Sequence, residues 1–154
     1  MRARGSSYEA IQDELQTLRE RLGRFPPTKM KIVADGRDLS GELLIAEVMN
    51  IRFVGPNLDL APNADPGDGL LDLVLLSRGH GRELADCLSD WIAGRVSSPG
   101  VQVHRVRRVR MEWTGFPVHV DDEIWPPDES KIRLDVKHVE IGVQPAALEV
   151  CVAS

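Results

Sequence analysis

Cysteine is almost missing from this sequence: Cys87 and Cys151 are the only two in 154 residues, and they share no CxxC or Cys/His ligand spacing. A disulfide scaffold is excluded, and both thiols are read as reduced and buried. The four histidines, His80, His104, His119 and His138, are scattered without an HExxH pattern, so no zinc site is expected and each reads as a strand or loop residue. Thirteen glycines form neither a GxxxxGKS/T loop nor a GxGxxG after a strand, and no GxSxG elbow presents a serine. The chain thus shows no ATP site and no hydrolase nucleophile. Long apolar runs are lacking too. Residues 70–76 are the longest apolar-rich stretch and Asp72 interrupts them, while the first ten residues lead into a polar amphipathic segment. No signal peptide and no membrane span are expected, so the expected location is cytoplasmic, with peripheral contact at a membrane left open. Basic charge is in the minority, 19 Lys+Arg against 24 Asp+Glu for a net −5, which argues against nucleic acid as a partner.

What is present is an ordinary globular balance of 42% hydrophobic and 28% charged residues, in a chain long enough to build one core without metal or disulfide staples. Residues 6–22 carry a helical pattern. Ser6-x-x-Glu9 makes a capping box, Ile11, Leu15, Leu18 and Leu22 form one narrow apolar seam, and Gly23 with Pro26-Pro27 stops it. The seam is too short for a sustained coiled coil and reads as a helix docked on its own domain. The period then becomes strand-like: Ile32-Val33 leads into a hairpin turn at Asp35-Gly36, followed by an aliphatic strand over 43–51. Leu58 and Leu60, then Leu71, Leu73 and Leu75, suggest a second strand pair around the turn-forming cluster 62–69. Leu84, Cys87, Leu88, Trp91 and Ile92 mark one internal helix that Gly94 ends. Strands return over 101–113, 118–120, 132–136, 138–143 and 148–152. The expected fold is mainly β (α+β): an antiparallel β-sandwich with an N-terminal helix and one internal helix. A docking helix and linker would cover 1–28 and the sandwich 29–154. The lack of βαβ alternation speaks against a doubly wound nucleotide-binding sheet.

Three constellations could carry chemistry. Asp121-Asp122-Glu123 presses three carboxylates together between apolar neighbours, and mutual repulsion would raise the pKa of at least one. That suits a general base or attracts a cation; an acidic turn in water is the plainer reading. The loop Asp65-Pro66-Gly67-Asp68-Gly69-Leu70 offers two carboxylates and several carbonyls to a hard cation such as Mg²⁺ or Ca²⁺, or else consists of ordinary turn formers. Arg105, Arg107, Arg108 and Arg110, interleaved with Val106 and Val109, could meet anionic headgroups or charge an edge strand against aggregation. Spacing leaves each pair of readings open.

The order of these pieces resembles a known family. Asn50 at the end of a strand, then the run from Gly55 through Ala61-Pro62 and Ala64 to Asp68-Gly69-Leu70-Leu71-Asp72, is similar to the GG-x-x-x-A-P-x-A-x-x-x-D-G-x-L-D signature of the diacylglycerol kinase and sphingosine kinase superfamily of lipid kinases. Val120-Asp121-Asp122-Glu123 resembles that family's Val-Asp-Gly-Glu motif, some fifty residues later. The resemblance covers about residues 29–154. Those kinases have two domains, and this chain resembles the second, a β-sandwich that carries the lipid site; the Gly-Gly-Asp-Gly-Thr nucleotide loop of the first does not occur in it. Asp122 stands at the motif glycine, and Val54 and Pro56 likewise stand where glycines are usual.

The resemblance implies that Glu123 is the general base that takes the proton from a lipid hydroxyl and that Asp121 supports Mg²⁺ or orients the site. It implies a Mg²⁺ position at Asp68 with the carbonyls of Asp65 and Leu70. The implied function is the lipid-binding C-terminal domain of a diacylglycerol-kinase-like enzyme, with ATP entering only through an N-terminal nucleotide-binding domain or separate chain. Alone, the chain would be inactive, because phosphoryl transfer depends on positioning and neutralising the γ-phosphate. The expected partners are a lipid with a free hydroxyl and that nucleotide domain, with a homodimer left open. The alternative is a non-catalytic β-sandwich module that binds a lipid or protein.

Overall fold

In the computed structural model of the protein, residues 8–22, 24–55, 57–95, 97, 100–121, 123–127 and 136–147 are described. The capping residue Ser6, the stop Gly23, Asp122, Cys151, the expected strand 148–152 and all but the last residue of 132–136 lie outside them. The chain begins with helix α1 (Tyr8–Leu22) and continues through strands β1 (Thr28–Met30), β2 (Ile32–Ala34), β3 (Arg37–Asp38), β4 (Gly41–Met49), β5 (Phe53–Val54), β6 (Leu58–Asp59) and β7 (Leu71–Ser77). A 3₁₀ turn (Arg78–His80) then leads into helix α2 (Gly81–Ile92), followed by β8 (Gln102–Val106), β9 (Arg108–Glu112), β10 (Val118–Val120), β11 (Glu123–Trp125) and β12 (His138–Gly142).

Two four-stranded antiparallel sheets, in the orders β1-β4-β7-β8 and β12-β9-β2-β3, make the sandwich; β5-β6 and β10-β11 are separate hairpins. Ile32 and Ala34 from β2, Leu71, Leu73 and Leu75 from β7, Val106 from β8, and Val109 and Met111 from β9 fill the space between the sheets. The other face of the first sheet is covered by the helices: Leu15 of α1 and Leu84 and Leu88 of α2 meet Met49, Val74, Leu76, Leu58 of β6 and the loop residues Leu60 and Ala61. Strand β7 is therefore covered on both faces, and its first six residues are buried in an unbroken run. This is why the stretch 70–76 is apolar at every position but Asp72, and not only at the alternating Leu71, Leu73 and Leu75. The α1 seam docks on α2 as its sequence suggests, and Gln12 Nε2 donates to the Ile92 carbonyl at 2.9 Å, satisfying one of the open carbonyls at the α2 C-terminus.

Three strand expectations are corrected. The Asp35-Gly36 turn, with φ of 47° and 79°, joins β2 to the two-residue β3 and not to the long strand. That strand, β4, pairs with β1 and β7, ends at Met49, and carries a bulge between Leu43 and Ile45. Leu58-Asp59 pairs with Phe53-Val54 instead of β7, an arrangement clamped by Arg52 donating from Nε and Nη2 to the Asp59 carboxylate at 2.9 and 2.5 Å. The stretch 101–113 is two strands in two different sheets, and the corner lies at Arg107. Val106 and Val109, both fully buried, keep the same sandwich interior on either side of that corner. Among the described residues no helix is long and apolar enough to cross a membrane.

Candidate functional site

The signature stretch folds as a plug that ends in a loop. Gly55 takes φ 52°, as a residue without Cβ can at no steric cost, which helps turn β5 into β6. Leu58, Leu60 and Ala61 then drop into the core beneath the helices, and Ala64 N–H donates back to the Ala61 carbonyl at 2.9 Å. Asp65 Oδ1 accepts the Gly67 N–H at 2.8 Å, and Asp68 Oδ1 accepts the Leu70 N–H at 2.8 Å, so each aspartate shapes the turn that follows it. The other Asp68 oxygen, Oδ2, is bonded to Arg105 Nη2.

Arg105 is not a loose surface cation. It lies in register opposite Asp72 across the β7–β8 pair, and Asp72 is 2% exposed. Burial pushes the Asp72 carboxyl above its ordinary range; the positive charge of Arg105 pulls it back and the negative charge of Asp68 pushes it further up. Asp68 and Asp72 thus face one guanidinium. The rest of the basic strip lies at the corner and in the second sheet: Arg108 Nε pairs with Glu140 Oε1 at 3.4 Å, and Arg110 Nη2 approaches His138 Nδ1 at 3.3 Å. Strand β8 lies at a sheet edge, whereas β9 lies inside its sheet, so the reading of all four arginines as one edge-strand face is corrected.

Asp121 and Glu123 stand at the tip of the β10–β11 hairpin, where Val118 pairs with Trp125, His119 with Ile124 and Val120 with Glu123. The two-residue turn explains why Asp121 adopts φ 52°, a conformation that aspartate tolerates better than most residues. Both carboxylates are exposed. The alternation of the strands nevertheless puts Glu123 on the same hairpin face as Val118, Val120 and Trp125. Those three line an apolar groove of about 260 Å³ with Val136, His138 and Val139. Trp125 is held against Trp113, ring centroids 5.2 Å apart, and Trp113 Nε1 donates to the Phe116 carbonyl at 2.7 Å. On the opposite face of the hairpin, His119 faces the half-buried Glu47 of β4, whose carboxyl is pushed up by burial and drawn back by His119.

Residues 6–152 match the family described as the YegS C-terminal NAD kinase beta sandwich-like domain. The chain belongs to this family. Two Mycobacterium tuberculosis proteins named diacylglycerol kinase, from strains CDC 1551 / Oshkosh and ATCC 25618 / H37Rv, are each 30% identical to it over 131 residues, 84% of this chain. The chain spans 40% of the length of those relatives. Among solved structures, a Bacillus anthracis str. Sterne protein assigned to the diacylglycerol kinases superposes with a TM-score of 0.58 at 18% identity, over 93% of this chain and 46% of that one. A second structure under the same assignment from that strain gives 0.56 at 19%, over 86% and 43%. At these identities the shared property is the fold, and the sandwich read from the sequence is that fold.

The structure brings Asp65, Asp68 and Leu70 into one turn and puts Asp121 and Glu123 on one hairpin. Sequence reasoning missed Arg105 and Asp72 as partners of the loop, Glu47 as a half-buried acid, and the groove beside Glu123. Asp72 carried a signal, a lone carboxylate inside an otherwise apolar run; the cross-strand pairing that supplies Arg105 had none.

Proposed function

We propose that this chain is the lipid-side domain of a diacylglycerol-kinase-like lipid kinase, working with a nucleotide-binding domain, in the same polypeptide or a separate one, that delivers MgATP. The observation that carries the proposal is the position of Glu123, on one hairpin face with three residues that line an apolar groove. A lipid whose apolar part lies in that groove presents its hydroxyl to the Glu123 carboxylate. Glu123 accepts the hydroxyl proton, the hydroxyl oxygen bonds to the γ-phosphorus of ATP, and the bond to ADP breaks. Asp121 orients the site or supports the Mg²⁺ that accompanies ATP. Val120 and Ile124, 59% and 52% exposed, give the hairpin an apolar surface for peripheral contact with a membrane.

The test joins the chain to the nucleotide-binding domain of a diacylglycerol kinase and follows γ-phosphate transfer to diacylglycerol in vesicles. Glu123→Gln is expected to lower transfer by at least about a hundredfold while Tm and vesicle binding hold. Transfer at the unmodified rate by that variant removes Glu123 from the reaction. Vesicle binding without transfer by the unmodified protein favours the alternative that the exposed hairpin suggests, a non-catalytic module that binds a lipid or protein partner.

A further inference from the structure

We infer that Arg105 is the resident cation of the 65–70 loop, its guanidinium holding the place that Mg²⁺ is expected to take, so that the loop is positioned without a divalent metal. The donor set as folded does not fit such an ion. Of the expected ligands, Asp68 Oδ1 accepts the Leu70 N–H, Asp68 Oδ2 is bonded to Arg105, and the Asp65 carbonyl accepts the Asp68 N–H at 3.2 Å. Mg²⁺ demands near-octahedral oxygen ligation and Ca²⁺ still more oxygens, and the one carboxylate among those ligands is already engaged at both of its oxygens. A divalent ion at Asp68 would also sit beside a guanidinium, and two cations on one carboxylate repel.

The place of Arg105 is fixed by the strand pairing. Asp72 stands opposite it on β7 and is buried, and a buried carboxylate calls for a cation within reach. The same register that sets Arg105 opposite Asp72 lets its guanidinium bond Asp68 Oδ2, while its charge draws the Asp72 carboxyl back down. Arg105 is a positioning residue in this account: it ties the signature loop to the edge of the first sheet.

The test is thermal unfolding and calorimetric titration of the full chain with MgCl₂ against an ionic-strength-matched NaCl control, which reads the loop whether or not the chain belongs to a kinase. The unmodified protein is expected to show no Mg²⁺ heat and no Mg²⁺-specific change in Tm. Arg105→Gln is expected to lower Tm by about 5 °C and then to regain about 2–4 °C as Mg²⁺ reaches about ten times its dissociation constant, because the vacated carboxylates become available. Arg105→Lys keeps the charge and is expected to remain silent to Mg²⁺, which keeps the inference testable if the Gln variant does not fold. Mg²⁺ binding by the unmodified protein that Asp68→Ala abolishes overturns the inference. So does an Arg105→Gln variant that folds yet ignores Mg²⁺, since arginine and metal would then not compete for one place.

Discussion

The carboxylate of Asp35 accepts the backbone N–H of Arg107 at 3.0 Å, across 72 residues of sequence, and the neighbouring N–H of Arg108 at 3.0 Å with its other oxygen. Those two amides lie where the chain leaves the first sheet and enters the second. The Asp35 N–H returns a bond to the Arg108 carbonyl at 3.1 Å, which ties the β2–β3 turn to the corner. Asp35→Ala is expected to cost about 1–2 kcal/mol, because it leaves two donors at the corner with water alone and places an alanine at φ 47°. Asp35→Asn keeps an acceptor and tolerates that φ, so it is expected to cost less. Urea midpoints at constant m measure both, and equal losses for the two variants would locate the effect elsewhere.

The two core helices and the sandwich class were legible because each follows from a period. The α2 pattern at Leu84, Cys87, Leu88, Trp91 and Ile92 needs only one buried face, and Leu84, Cys87 and Leu88 are the residues it buries. Strand partnership was not legible, since pairing depends on which residues far apart in sequence share a sheet. Nothing in Val101 to Trp113 marks Arg107 as a corner; the Asp35 carboxylate that holds it lies in a different turn. The candidate site divides the same way. Asp65 and Asp68 shape their turns by local side-chain bonds, whereas Arg105 comes to Asp68 only through the β7–β8 register.

Docking of α1 depends on Leu15, 5% exposed beneath α2 and the first sheet. Leu15→Ala removes most of a buried leucine and is expected to cost about 2–4 kcal/mol. Because the Gln12 bond to Ile92 is partly buried at the same junction, the loss should appear first as faster hydrogen exchange along α1, with the amides of β7 still protected. Uniformly faster exchange over both segments would mean that α1 and the sheet unfold as one unit.

Glu47 sets a pH dependence whose sign follows from its burial. Its carboxyl is raised in the folded protein, chiefly by desolvation, with His119 acting in the opposite direction. The folded state therefore holds that proton more tightly than the unfolded chain, so the contribution of Glu47 to stability is fully present below the ordinary glutamate range and is lost as pH rises through the raised value. Glu47→Gln removes the titration. It is expected to stabilise the protein at pH 7 and to leave it little changed at pH 4, where both side chains are neutral. Chemical denaturation at the two pH values checks this, and a Gln variant less stable at pH 7 would show that the charged form is held by more than His119.

Gly69 adopts φ 71° in the middle of the signature loop, and a Cβ there would meet the Pro145 ring at 3.5 Å, an ordinary contact distance. Space is thus available and the backbone is what demands glycine. Gly69→Ala is expected to cost about 1–2 kcal/mol from the left-handed conformation alone, and Gly69→Asn less, because asparagine visits that region more readily. The loop bond from Leu70 N–H to Asp68 Oδ1 depends on the same turn. The Ala variant should therefore also loosen the loop, seen as faster exchange of the Leu70 amide at unchanged protection of β7. An alanine variant as stable as the parent, with that amide still protected, would mean that the loop reaches its shape without the positive φ.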